Sequence, residues 1–188
     1  MALETDIGVD GGGILQPILK NRWKVYFLGI AGDPDPLHVQ CVSTDRPKIE
    51  FAEIELDRYN SRSYVAGKYT FQPLNMVFQV DVGGTLNKTI QQQIDLQQSI
   101  IGNFPAAALP AAIGGAIYKF AIRQDWLDGN NTVLESWIYE GCWIQNTDWS
   151  NGDYTVNEAV TTTCIIRYDI ARQIITGVAT NATGGSGQ

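Results

Sequence analysis

The clearest pattern along the chain runs from Pro47 to Val82. Its first arm reads PKIEFAEIELDRYN, with apolar residues at Ile49 and Phe51 and then at Ile54 and Leu56. Side chains alternate between the faces of a strand, so this change of parity predicts a bulge or kink near Ala52 and Glu53. The second arm, YTFQPLNMVFQVDV, behaves alike. Tyr69 and Phe71 are odd, Pro73 interrupts, and Leu74, Met76, Phe78, Val80 and Val82 are even. Proline donates nothing to a ladder, so Pro73 belongs at an edge or at the irregularity itself. The pattern predicts a long hairpin whose polar far end, Asp57 to Tyr69, forms a protruding loop. Arms that change face midway suit two different surfaces, and equally a bent hairpin inside an ordinary sandwich.

Elsewhere the pattern predicts strands at NRWKVYFLGI (21–30) and LHVQCVST (37–44), joined by a turn at GDPDP. After Gly83-Gly84, TLNKTIQQQIDLQQSII reads as an amphipathic helix with Leu86, Ile90, Ile94 and Ile101 on one stripe. Gln91, Gln92, Gln93 and Gln98 lie off that stripe and Gln97 at its margin, a polar face suited either to a protein neighbour or to water. The uncharged stretch FPAAALPAAIGGA (104–116) reads as a small-residue loop. AIYKFAIRQDW, with Tyr118, Phe120 and Ile122 inward, then forms a hairpin with TVLESWIYEGCWIQ through LDGNN, where Asp-Gly supplies positive φ. EAVTTTCIIRYDI closes the sheet, with Val160, Thr162, Cys164, Ile166, Tyr168 and Ile170 on one face. The sum is about seven strands and one helix: a mainly β protein, an antiparallel β-sandwich or barrel with one packed α-helix. The predicted organisation is a flexible N-terminal arm (1–21), a β domain (22–175) and a glycine-rich tail (176–188).

The 188 residues are enough to bury a sizeable core, and a net charge of −7 argues against holding nucleic-acid phosphates by charge neutralisation. No apolar run is long enough to span a bilayer as a helix, so no membrane anchor is expected. Cys41, Cys142 and Cys164 have no metal-type spacing and read as reduced, buried residues. His38, the only histidine, reads as a plain strand residue. Glu53 and Glu55 share a strand face and form an acid pair of the kind hydrolases use, but a solvated face accounts for them. The five tryptophans fit core positions better than a sugar-binding platform, which leaves a carbohydrate-binding sandwich as the more distant alternative. No catalytic constellation and no cofactor motif emerges; the chain is not expected to be an enzyme.

Three segments in order carry a resemblance. They are TDRPKIEFAEIELDRYN…YVAGKYTFQPLNMVFQVDV, the helix directly after it, and WIYEGCWIQNTDWSNGDYTVNEAVTTTCIIRYD. Together they resemble the tail-tube subunits of contractile-tailed bacteriophages, a family related to type VI secretion tube proteins and to the tubes of phage-like bacteriocins. The resemblance implies a structural protein of the virion tail, made in the host cytoplasm. Hexameric rings stack into a tube, DNA passes through the lumen without specific binding, and the partners are the sheath, baseplate and tail terminator. The stretch 102–116 and the glycine-rich tail depart from that pattern.

Combined with strand parity, the resemblance names candidates for two surfaces. Glu53, Glu55 and Asp57 on the first arm, and Asn75, Gln79 and Asp81 on the second, are expected to face the lumen. Ile14 and Leu15 of the arm, with Arg58, Arg62, Tyr64 and Lys68 of the far end, are expected to make contacts between rings.

Overall fold

The computed structural model describes residues 18–103, 117–155 and 157–176. They contain nine strands and two helices: β1 (Trp23–Leu28), α1 (Asp35–Gln40), β2 (Cys41–Thr44), β3 (Ile49–Arg58), β4 (Ser61–Phe71), β5 (Leu74–Gln79), α2 (Thr85–Asn103), β6 (Phe120–Leu127), β7 (Val133–Asp148), β8 (Thr161–Arg167) and β9 (Ile170–Thr176). The fold is mainly β, every pairing is antiparallel, and α2 packs on the core, as expected from the sequence. The arm residues Ile14 and Leu15, the stretch 104–116 and the tail 177–188 lie outside the described residues.

β7 organises the main sheet. Its first half lies between β6 and β9, and its second half pairs with β8. The switch falls at Gly141, whose φ of +70° is left-handed. A Cβ there would collide with the Asp169 carboxylate. The Asp169 amide in turn donates to the Glu140 carbonyl at 3.0 Å, fixing the corner between β8 and β9. The ladder runs β1-β6-β7-β8-β5-β2 and curls round one core. Phe27 of β1 lies 6.2 Å from Phe78 of β5, although the two strands stand four places apart in that order. Leu74, Met76 and Phe78 face inward as their parity predicts, with Thr162, Cys164, Ile166 and Tyr168 beside them. Val82 and Val160 do not: both are exposed, beyond the ends of their strands.

Two segments depart from the expected elements. GDPDP and LHV do not form a turn and a strand but begin α1, with Pro34 at its start and a further proline in the first turn, where a missing N–H costs nothing. His38 therefore sits on a helix, and its Nε2 accepts the Phe27 amide at 2.7 Å. In the 128–131 turn, the positive φ belongs to Asn131 and not to Gly129. The Asp128 carboxylate accepts the Asn130 and Thr132 amides there, which holds its pKa below the ordinary carboxylate value.

The helix α2 buries Leu86 and Ile90 completely and Ile94 in part, so that part of the predicted stripe faces the core, while the side chain of Ile101, its fourth member, lies outside the described residues. Gln93 is the correction: it is fully buried. Its Oε1 accepts the Ala31 amide at 2.8 Å and its Nε2 donates to the Tyr118 carbonyl at 2.7 Å. Gln97 does the same for one residue of β7, with Nε2 donating to the Ile144 carbonyl and Oε1 accepting its amide, both at 3.1 Å. A primary amide carries donor and acceptor together, so it replaces a missing ladder partner where strands end under a helix. Gln91, Gln92 and Gln98 remain exposed. Replacing Ile90 with alanine is expected to cost about 2–5 kcal/mol in denaturant melts, as for other large-to-small changes in a core; a loss below about 0.5 kcal/mol would place the stripe outside the core.

Candidate assembly surface

The stretch from Pro47 to Val82 is not one hairpin. β3 turns at Tyr59-Asn60 and pairs with β4, so the expected loop at 57–69 is mostly strand. The second expected arm is divided at Gln72-Pro73: its start ends β4, while Leu74–Gln79 joins the main sheet as β5. Ser61 to Phe71 holds two tyrosines, a valine, a threonine and a phenylalanine, which favour strands, and that preference outweighs its polar look.

β3 and β4 form a two-stranded sheet of their own. Its register shifts between Phe51 and Glu53, as the parity change predicted, but the additional residue lies on β4. Phe51 pairs with Tyr69 and Glu53 with Ala66, so Gly67 and Lys68 together oppose Ala52. Gly67 is required there, because a Cβ would stand 2.9 Å from the Ala52 carbonyl oxygen and against Ile54. β3 itself therefore alternates without a break, and its two faces differ in chemistry from base to tip.

On one face the base is aromatic. Tyr139 and Tyr168 in the core lead through Phe71 and Tyr69 to Phe51, with successive ring centroids 5.1, 5.4, 5.6 and 6.1 Å apart. Toward the tip that face carries Glu53, Glu55 and Asp57 opposite Ala66, Tyr64 and Arg62. Arg62 reaches Glu55 at 3.0 Å and Asp57 at 3.2 Å. The other face reverses the order, with Glu50 opposite Thr70 at the base and Ile54, Leu56 and Val65 near the tip. Every residue of β3 is exposed; Phe51 at 55% and Ile54 at 49% mark the two faces. Such a ribbon is marginal in water by itself, and among the described residues both of its edges are unpaired.

The structure thus places three lumen candidates, Glu53, Glu55 and Asp57, on the same face as two inter-ring candidates, Arg62 and Tyr64. Arg58 lies on the opposite face and Lys68 at the bulge. Asn75 and Gln79 belong to the outer face of the main sheet, beside Ile165 and Thr161 of β8 and with Asn146 and Asp148 of β7 beyond. Asp81 lies past the end of β5, where its carboxylate accepts the Thr85 hydroxyl at 3.1 Å in the first turn of α2. Desolvation raises its pKa, but hydrogen bonds from Thr85, Gln40 and nearby backbone outweigh that and hold it below the ordinary value. The acid pair Glu53 and Glu55 stands on the open ribbon, not in a cleft. Among the described residues no three His, Cys, Asp or Glu gather as a metal ion needs, and no helix is long and apolar enough to cross a membrane.

No family model matches this sequence, and no curated protein does. Solved structures do. A chain of the anti-feeding prophage baseplate superposes with a TM-score of 0.65 at 10% identity, over 87% of this chain and 99% of that one. A chain of the same system's tube-terminating cap gives 0.64 at 19% identity, over 90% and 98%. A chain of the sheath–tube complex of an extracellular contractile injection system, PVC, in its extended state gives 0.61 at 16% identity, over 86% and 94%. The fold is that of a contractile-tail tube protein.

The tube fold leaves its three thiols inert. Burial pushes Cys41, Cys142 and Cys164 up to about 12, despite a hydrogen bond that opposes the shift in each case. They stay protonated at neutral and mildly alkaline pH, and Cys142 and Cys164 are also inaccessible. The native chain at pH 8 is expected to titrate slowly with a thiol reagent and to yield three thiols quickly once denatured. Rapid reaction of Cys142 or Cys164 in the native state would contradict the burial.

Proposed function

We propose that this chain is the structural subunit of a tail tube, assembling as hexameric rings that stack around a lumen. The observation that carries the reading is the β3–β4 ribbon, apolar on both faces and open at both edges. Its base is fastened to the core by the aromatic run from Tyr139 to Phe51, so the ribbon projects as an ordered element with no partner of its own. A second copy provides one. The tip face with Ile54, Leu56 and Val65 packs on a neighbouring subunit, and the tip face with Glu53, Glu55 and Asp57 stays in water.

On this reading the lumen wall combines that acidic tip with the outer face of β5 and β8, where Asn75, Gln79, Thr161 and Thr163 stand. The wall carries amides, hydroxyls and carboxylates beside Val77 and Ile165; its cations are Arg62, held between two of those acids, and Arg167 at the end of β8. Such a surface repels phosphate and offers no free row of cations, which suits passage of DNA. Stacked rings place the N-terminal arm and residues of the ribbon, Arg58 and Lys68 among them, at ring-to-ring contacts. Sheath, baseplate and tail terminator are the partners, and the assembled virion tail is the location. A second reading has specific support: the anti-feeding prophage and PVC chains superpose better than the SPP1 tail tube, which gives a TM-score of 0.53. The same ring would then serve a phage-like injection apparatus that delivers protein.

The test is assembly with and without the apolar tip. The wild-type chain is expected to sediment as rings or tubes visible in stained micrographs. Leu56→Glu places an unpaired charge in the proposed contact and should weaken association about a hundredfold, roughly 3 kcal/mol. The stability of the isolated subunit should change by less than about 0.5 kcal/mol, since the ribbon stands apart from the core. A wild-type chain that stays monomeric at high micromolar concentration would overturn the proposal.

A further inference from the structure

A cleft of about 700 Å³ opens between the start of β1 and the strand β2, the last strand of its ladder and an open edge among the described residues. Its apolar lining is Ile18, Trp23, Val42 and Trp126, and its charged lining is Lys20, Arg46 and Asp45. The Arg46 guanidinium lies 4.2 Å from the centre of the Trp126 ring and 3.0 Å from the Glu135 carboxylate, which itself accepts the Trp137 indole N–H. Asp45 is drawn off by Lys48 at 3.5 Å. The lining residues thus carry one net positive charge in a chain whose total is −7. Trp126 is 7% exposed, and its buried indole Nε1 has no hydrogen-bond partner among the described residues.

An open strand edge, two indole rings and a cationic rim together fit an extended peptide that is acidic and then apolar. The chain carries such a segment. Residues 1–17 hold Glu4, Asp6 and Asp10, then three glycines, then Ile14 and Leu15, and no lysine or arginine. The segment joins the described structure at Ile18, on the wall of this cleft. Seventeen residues reach up to about 60 Å when extended, far enough to arrive at the next subunit.

We propose that the cleft between β1 and β2 is the receptor for residues 1–17 of a second copy of this chain. The leader runs along the β2 edge with Ile14 and Leu15 against Ile18, Trp23 and Val42, and its carboxylates meet Lys20 and the Arg46 guanidinium that covers Trp126. The inference deepens the tube reading by naming where the arm of one ring holds the next. It also accounts for an acidic leader on an acidic protein, which would otherwise be repelled by its neighbours.

The experiment is a titration of the full-length chain, kept unassembled so that no neighbouring arm fills the cleft, into a fluorescently labelled synthetic peptide of residues 1–17, followed by anisotropy at low salt. Saturable binding is expected. Replacing the three acids of the peptide by their amides should weaken it about tenfold, as should Lys20→Glu or Arg46→Glu in the protein. Lys20 is an exposed residue, so the first protein variant remains informative if Arg46→Glu, which loses its stacking on Trp126, fails to fold. Unlabelled peptide added during assembly should shorten the tubes. Absence of saturable binding, the result given by an arm lying in its own cleft, overturns the proposal, and so does equal binding of the amide peptide. A chain that binds the peptide yet never forms rings overturns the tube reading alone; tubes without peptide binding overturn only the docking site.

Discussion

A two-stranded ribbon with apolar residues on both faces cannot satisfy itself, and the rest of this molecule reads as the means of holding one out into solvent. The ribbon carries Phe51 and Tyr69 toward one side and Ile54, Leu56 and Val65 toward the other. Burying even half of those side chains in a neighbour contributes several kcal/mol, at roughly 1.5–3 kcal/mol for each large residue fully removed from water. Leaving them in water costs the subunit nothing in its own fold, because the core is complete without them. On the proposed reading, stability and assembly are therefore carried by separate parts of the chain. The core can be tuned without touching the contacts, and the contacts without touching the core.

What makes the ribbon a tool and not a liability is its fastening. The aromatic run from Tyr139 through Tyr168, Phe71 and Tyr69 ties it to the centre of the main sheet. The bulge at Gly67 lies just beyond that run, and past it the acidic and apolar faces exchange sides. Behind the anchor, β7 serves two sets of partner strands by turning at Gly141, and α2 packs Leu86, Ile90 and two glutamine amides against the open ends. The glutamine amides pair with backbone groups at Ala31, Tyr118 and Ile144 that would otherwise need other partners. In the ribbon and at β2, by contrast, edges stay open, and those are the two places proposed to receive another copy.

Period-two alternation made β1, β5 and β8 legible in the sequence, and the apolar stripe made α2 legible, because each is half-buried against one core. The ribbon was harder to read. Its pairing depends on Ser61 to Phe71, whose side chains meet solvent in the single chain, so the usual inward and outward contrast is missing and the stretch looks like a loop. Parity did find the exchange of faces near Ala52, but the residue that causes the register shift is Gly67 on the opposite strand, and nothing local to Ala52 signals that. Gln93 was invisible for a different reason: burial of a glutamine depends on unpaired amides and carbonyls at Ala31 and Tyr118, distant in sequence. The cleft beside β2 was likewise beyond pattern reading, since Trp23, Arg46 and Trp126 converge only through pairing of the sheet.

The central claim is that the ribbon is completed by another subunit, and amide hydrogen exchange across residues 49–71 tests it most directly. In the dilute single chain, those amides should exchange orders of magnitude faster than the amides of β6 and β7, since only one strand partner and no core protects them. In assembled rings or tubes they should become as protected as the main sheet. Equal protection of the ribbon in the dilute and assembled states would contradict the account.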